Sequence, residues 1–291
     1  MTAIWLNGTI VPKEQACISV FDHGLLYGDG IFEGIRFYNG VAFMLQEHLD
    51  RLFQSAAALM FRLPYTSQQL TTAVYEAIAS HGEVDGYIRL VVTRGEGALG
   101  VDPNSCAQPT VFVIVDRMQI ISNAARAGGI RAVIVSTRRV PNVSWDARIK
   151  SLNYLNNVLA KLEARNAGAD EAIMLNTAGY VAEGAVNNVF VVKCGRLLTP
   201  LTSDGALAGV TRATLLQLAQ AMNIPAEEKS LTPYDLYTAD ECFLSGTGVE
   251  LVPVREVDGR TIASCPGPIF ARLQQAFNDF VRDKTALITN H

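Results

Sequence analysis

Apolar and polar residues follow two rhythms along this chain. Over residues 46–60 the apolar positions Leu49, Leu52, Phe53, Ala56 and Leu59 recur three or four apart, which predicts an amphipathic helix. Residues 67–80 predict a second helix, with Ser67 as its N-cap. Shorter apolar runs predict strands at 3–6, 41–44, 87–93 and 110–115, the last apolar enough for a sheet centre. The first two lie beside the turn dipeptides Asn7-Gly8 and Asn39-Gly40. A stretch rich in Ala, Gly, Ser and Asn, 120–129, is read as the domain boundary. Beyond it a strand is expected at 131–136, then a loop with Pro141, then a long helix over 153–167 closed by Gly168. Strands follow at 171–175 and 188–192. A helix over 211–222, opened by Gly209-Val210-Thr211, ends before Pro225. A strand at 241–244 runs into the tight turn Ser245-Gly246-Thr247-Gly248, and a last helix covers 268–282.

This order of elements predicts an α/β protein of α+β type, with a smaller N-terminal α/β domain over 1–125 and a larger one over 126–291. The length agrees: 291 residues suggest two domains at roughly 100–200 residues each. Hydrophobic residues are 49% and charged residues 18%, which excludes a disordered chain. The net charge of −4 gives no overall pull toward nucleic acid or anionic lipid. The N-terminal stretch lacks the basic flank and apolar core of a signal peptide. The purest apolar run, 111–115, is far short of the ~20 residues of a membrane span. Five cysteines (Cys17, Cys106, Cys194, Cys242 and Cys265) are scattered and never in CxxC spacing. They favour a reducing cytosol, hence a cytoplasmic protein, over a disulfide framework or zinc site. The histidines have no ligand spacing, so no metal is expected.

Several familiar motifs are absent. Gly28, Gly30 and Gly34 have the spacing GxGxxxG, which is not the dinucleotide fingerprint. There is no GxxxxGK phosphate loop and no GxSxG nucleophile elbow. Four separated features point elsewhere. Lys150, just before the long helix, is either a solvated lysine or a Schiff-base lysine at a cleft edge. The second role needs the neutral amine, which desolvation favours. Glu183 enters an apolar strand, where an unpaired carboxylate is costly and a pyridinium nitrogen is a fitting partner. Leu207-Ala208-Gly209-Val210-Thr211-Arg212 opens a helix, whose free N–H groups and dipole make either an ordinary helix start or a phosphate site. Arg51 lies beside the apolar stripe of its helix, able to pair with Glu47, to face solvent or to clamp a phosphate.

A lysine, a carboxylate, a phosphate-binding helix start and an arginine are what pyridoxal 5′-phosphate requires. The ordered run Lys150, Glu183, Asn188-Val189-Phe190, Leu197-Leu198-Thr199 and Leu207–Arg212 resembles the class IV, fold type IV, pyridoxal-phosphate aminotransferases. The resemblance spans essentially the whole chain and implies a two-domain fold with the cofactor in the cleft between the domains. It implies Lys150 as the Schiff-base lysine and general base. Glu183 is implied as partner of the pyridine nitrogen, and Tyr154 as partner of the ring hydroxyl. Leu207 would pack on a ring face, Asn188 belongs to the cofactor motif, and Arg51, Val210, Thr211 and Thr247 would hold the phosphate.

The segment Tyr27–Arg36, with Phe32 and Gly34, is similar to the pocket motif of branched-chain aminotransferases, as is Gly86-Tyr87-Ile88-Arg89. That similarity implies apolar walls from Tyr27, Phe32 and Tyr87. Arg89 would meet the second carboxylate of glutamate, and Thr247 and Gly248 the α-carboxylate. The implied reaction is transamination of L-leucine, L-isoleucine and L-valine with 2-oxoglutarate, in a homodimer or larger homo-oligomer. Asp29-Gly30 and Lys150–Asn153 also resemble the D-amino acid branch, so a D-amino acid or (R)-amine transaminase stands second. Aminodeoxychorismate lyase stands third, since an aromatic acid fits this pocket poorly. A nucleotide-binding or non-catalytic α/β protein would carry no chromophore. Gly248 stands where branched-chain enzymes often have alanine. Arg138 and Arg139 could add a carboxylate anchor.

Overall fold

The computed structural model describes residues 2–117 and 123–286. The chain divides into two compact units. The first comprises Met1–Met118, Ile149–Asn153 and Val281–His291; the second comprises Gln119–Arg148 and Tyr154–Phe280. A single cut at 125/126 therefore does not describe the chain. The short segment around Lys150 groups with the first unit, because its backbone bonds to that unit's sheet.

In the first unit the strands are β1 (Ala3–Leu6), β2 (Thr9–Val11), β3 (Gly30–Tyr38), β4 (Val41–Ala42), β5 (Gly86–Thr93) and β6 (Thr110–Asp116). They form one antiparallel sheet in the order β2-β1-β6-β5-β3-β4. The two hairpins turn at the expected dipeptides. Asn7 (φ 45°) and Gly8 (φ 108°), then Asn39 (φ 52°) and Gly40 (φ 75°), adopt the left-handed backbone that a two-residue hairpin demands. Helices α1 (His23–Tyr27), α2 (Leu45–Ala58) and α3 (Ser67–His81) complete the unit. Its core joins Ile31, Ile35 and Phe37 of β3 and Ile88, Leu90 and Val92 of β5 to Leu49, Leu52 and Ala56 of α2 and Leu70, Val74 and Ala77 of α3. The strand expected at 41–44 is cut to two residues, because Met44 turns left-handed (φ 54°) to start α2. The N-cap of α3 is Thr66, not Ser67: Thr66 and Gln69 form a reciprocal capping box.

The second unit contains β7 (Ile130–Ile134), β8 (Glu171–Leu175), β9 (Val181–Gly184), β10 (Asn188–Lys193), β11 (Arg196–Thr199), β12 (Ala226–Glu228), β13 (Glu241–Gly246), β14 (Glu250–Val257) and β15 (Arg260–Thr261). The sheet order is β12-β11-β10-β13-β14-β7-β8-β9, with β15 beside β14. Pairing is mixed: β7 runs parallel to β8 and β14, and β11 parallel to β12. Helices α4 (Asn123–Gly128), α5 (Leu155–Asn166), α6 (Val210–Ala221), α7 (Pro233–Tyr237) and α8 (Pro268–Ala286) follow in chain order. The last runs past the unit's end at Phe280. Gly168, at φ 69°, follows α5 as expected. Helix α8 outruns its predicted end, and within the added turn Thr285, buried, donates back to Val281 O at 2.9 Å. No helix of the described residues is long and apolar enough to cross a membrane.

Candidate active site

Strand alternation sorts β3 into two faces. Ile31, Glu33, Ile35 and Phe37 share one; Phe32, Gly34 and Arg36 share the other. Register pairs Gly34 with Arg89 and Arg36 with Tyr87 on β5, so these side chains stand on one side of the sheet. The Arg89 guanidinium lies 4.5 Å from the centre of the Phe32 ring and 5.7 Å from that of Tyr87. Among the described residues no hydrogen bond or ion pair engages Arg89. Gly34 leaves room for the Tyr87 ring where it stands: a Cβ would lie 2.1 Å from the Tyr87 hydroxyl. Arg36 lies over the Tyr38 ring, 5.5 Å away. Tyr27, expected in the same wall, has two contacts within the unit. Its hydroxyl accepts from Gly100 N at 2.8 Å, and its ring meets His23 edge-on.

Lys150 is held against the edge of β3. Its carbonyl accepts from Phe32 N at 3.0 Å, Leu152 N donates to Gly30 O at 2.8 Å, and Ser151 bridges to Ile31. Its own N–H donates to the Ser55 hydroxyl of α2 at 3.3 Å. The half-buried side chain places Nζ 4.6 Å from the centre of the Phe32 ring.

Glu33 points to the core face, where an unpaired carboxylate would be costly. Arg51 meets it in a fork, Nε to Oε1 at 2.8 Å and Nη2 to Oε2 at 2.6 Å, and His48 Nδ1 lies 2.7 Å from Oε2. Burial is the largest effect and raises the Glu33 pKa, but the Arg51 guanidinium and His48 together outweigh it and hold the carboxyl at about 2. For His48, burial is the largest effect and lowers its pKa, despite the Glu33 carboxylate. Arg51 therefore neither pairs with Glu47 nor faces solvent. Glu33 and His48 escaped the sequence reading. The available signal was a carboxylate on the apolar face of β3 facing two basic positions three residues apart on α2.

In the second unit, Glu183 on β9 is not left without a protein partner. Oε1 pairs with Arg139 Nη2 at 2.9 Å, and Oε2 accepts from Leu207 N at 2.9 Å. The Leu207 carbonyl accepts from Asn188 Nδ2 at 3.0 Å and from Gly209 N at 2.8 Å, tying Glu183 and Asn188 to the start of α6. Gly209 caps α6 with no side-chain hydrogen bond, so the N–H groups at Val210 and Thr211 begin the helix without a side-chain cap. Ser245 is opposite Asn188 in the β10–β13 register; its hydroxyl, fully buried, has no partner among the described residues. Thr247 and Gly248 are half-buried in the turn from β13 to β14, and Tyr154 is half-buried at the N-cap of α5. Of the two arginines before Lys150, Arg138 bonds to the carbonyls of Val135 and Ser136, while Arg139 is the one at Glu183.

The uncapped start of α6 and the buried Glu183 carboxylate belong to the second unit, and Lys150 on the Phe32 ring to the first; the chain as a whole matches a known family. A model described as amino-transferase class IV fits residues 30–257, and the chain belongs to that family. Several relatives carry the name of one enzyme. A putative branched-chain-amino-acid aminotransferase of Methanocaldococcus jannaschii is 49% identical over 277 residues, 95% of either chain. The crystal structure of Escherichia coli branched-chain amino acid aminotransferase superposes with a TM-score of 0.93 at 36% identity, over 96% of this chain and 94% of that one. The crystal structure of the branched-chain amino acid aminotransferase from Thermobaculum terrenum, in its PLP-bound holo form, gives 0.87 at 29% identity, over 97% and 94%.

Proposed function

We propose that the protein moves the amino group of L-leucine, L-isoleucine or L-valine to 2-oxoglutarate, giving the branched 2-oxo acid and L-glutamate. The cofactor is pyridoxal 5′-phosphate, and the residues present fit it. The uncapped start of α6 suits its phosphate, the buried Ser245 hydroxyl beside Asn188 has hydrogen-bonding capacity to spare, and Glu183 keeps free lone pairs. Bound, it supplies the electron sink that makes the substrate α-proton acidic. Lys150 Nζ is read as the amine that holds the cofactor covalently and, once displaced by the substrate amine, as the base that moves the α-proton. Glu183 accepts the hydrogen bond of the pyridine nitrogen, and Tyr154 donates to the ring hydroxyl. Arg51, Val210, Thr211 and Thr247 hold the phosphate, with Asn188 and Leu207 shaping the ring's seat. Thr247 and Gly248 offer backbone N–H groups to the α-carboxylate.

The observation that carries the substrate reading is Arg89. It is a half-buried cation without a carboxylate partner among the described residues, laid on Phe32 and Tyr87. One wall thus offers apolar surface to a branched side chain and a guanidinium to the second carboxylate of glutamate. Gly34 leaves the room that Tyr87 needs, and Arg36 and Tyr27 complete the pocket motif. A homo-oligomer belongs to the same reading. The exposed apolar positions Leu155, Val158, Leu159 and Leu162, at helical spacing on α5, support it.

The test is the visible spectrum of the purified protein with L-leucine and, separately, with D-alanine. The yellow band is expected to bleach with L-leucine alone; bleaching with D-alanine instead would favour the D-amino acid reading. As a second arm, Arg89→Ala is expected to lower kcat/KM for 2-oxoglutarate ~100-fold and for L-leucine less than ~10-fold. Equal losses would argue against a shared pocket.

A further inference from the structure

Arg139 belongs to a loop that the reading above leaves without a role. All three of its guanidinium nitrogens are engaged inside the second unit. Nε donates to Gly205 O at 3.0 Å, Nη1 to Asn157 Oδ1 at 3.3 Å, and Nη2 to Glu183 Oε1 at 2.9 Å. Asn157 is itself buried and fixed, its Nδ2 donating to Ala185 O at 2.6 Å. The backbone of Arg139 is pinned as well, its N–H donating to Leu175 O at 2.8 Å. Gly205 is part of the seat: at φ 104°, it brings its α-carbon so near that a Cβ would lie 2.9 Å from Arg139 Cγ. A guanidinium spent on three protein acceptors is poorly placed to bind a substrate carboxylate.

We infer that Arg139 is a positioning residue for cofactor binding, which fixes the plane of the Glu183 carboxylate so that its free lone pairs meet the pyridine nitrogen. The inference rests on Glu183 as the partner of that nitrogen. A carboxylate has about four acceptor directions. The Arg139 Nη2 and Leu207 N–H groups take one on each oxygen and leave one on each. A guanidinium held at Nε and Nη1 cannot swing, so it sets the carboxylate rotation, which the single Leu207 bond leaves open.

Arg139→Met, Arg139→Lys, Glu183→Gln and the Arg139→Met/Glu183→Gln double variant are prepared as apoenzymes. Pyridoxal 5′-phosphate affinity is measured by protein fluorescence, alongside the visible band of the reconstituted proteins. R139M is expected to bind the cofactor about tenfold more weakly and to shift the band, with R139K intermediate. In the E183Q background R139M should add less than about twofold, because the group it positions is already altered. Unchanged cofactor affinity in R139M overturns the inference. So does an equal loss in both backgrounds, which would make Arg139 a purely structural residue. A raised substrate KM with unchanged cofactor affinity would return Arg139 to substrate binding. If E183Q alone leaves affinity and band unchanged, the reading of Glu183 fails, and the inference with it. Should R139M not fold, R139K against E183Q carries the same comparison.

Discussion

A buried carboxylate that shares two basic partners ties this protein's stability to pH. Folded Glu33 titrates near 2, well below the 4.5 of an unperturbed glutamate. An unfolded chain therefore binds a proton between those values that the folded one refuses, and stability falls as pH drops through this window. At roughly 1.4 kcal/mol per unit, the loss is about 3 kcal/mol. His48 acts in the same direction from a higher start. Its folded pKa lies below 6.5, so acidification below that value protonates the unfolded chain first. Urea unfolding of the apoenzyme is expected to give free energies that decline below about pH 6.5 and again below about pH 4.5. Glu33→Gln should remove most of the lower decline and cost about 3–5 kcal/mol near neutrality, since Arg51 is left buried without its carboxylate. A variant as stable as its parent near neutrality would show that the pair contributes little. At this scale the sequence was partly legible. Arg51 and Glu183 could be singled out by their setting, but their partners Glu33 and Arg139 could not. Those contacts join residues whose pairing depends on which strand faces which helix.

Elements were legible where a long rhythm repeats. Helix α2, α3 and the strands β5 and β6 lie within a residue or two of where apolar spacing puts them. Two long strands, β3 and β14, went unread along with several short ones: β3 sets Glu33, Gly34 and Arg36 among its apolar residues, and β14 carries Pro253, which argues against a strand interior. At four residues, β9 and β11 are too brief to show alternation, and β12 is exposed throughout, with no apolar side to betray it. Helix starts were harder to fix, because adjacent hydroxyl residues compete for the cap. Thr66 wins over Ser67 by reaching Gln69 N at 3.3 Å while the Gln69 side chain accepts from Thr66 N at 2.8 Å. Thr66→Ala is expected to lower stability by about 1 kcal/mol, and Ser67→Ala by much less, as thermal melts would show. The reverse ranking would restore Ser67 as the cap.

For the whole molecule, composition set the class of chain and little more; the two units came from the order of elements. What no local pattern announced is that Ile149–Asn153 docks on the sheet of the first unit rather than with the residues on either side of it. This placement has a consequence in time. A nascent chain that has just finished β6 holds all six strands of the first sheet, with Phe32, Tyr87 and Arg89 on it, yet not Lys150. The lysine arrives only after a long excursion has closed, and closing it costs chain entropy that neighbouring hairpins never face. Refolding from urea should therefore restore far-ultraviolet dichroism before it restores Lys150's ability to capture pyridoxal phosphate. Simultaneous recovery would mean the excursion closes as early as the hairpins do. With dichroism recovering first, Lys150 becomes a reporter of the slowest topological step, and a trapped intermediate would look well structured while remaining colourless.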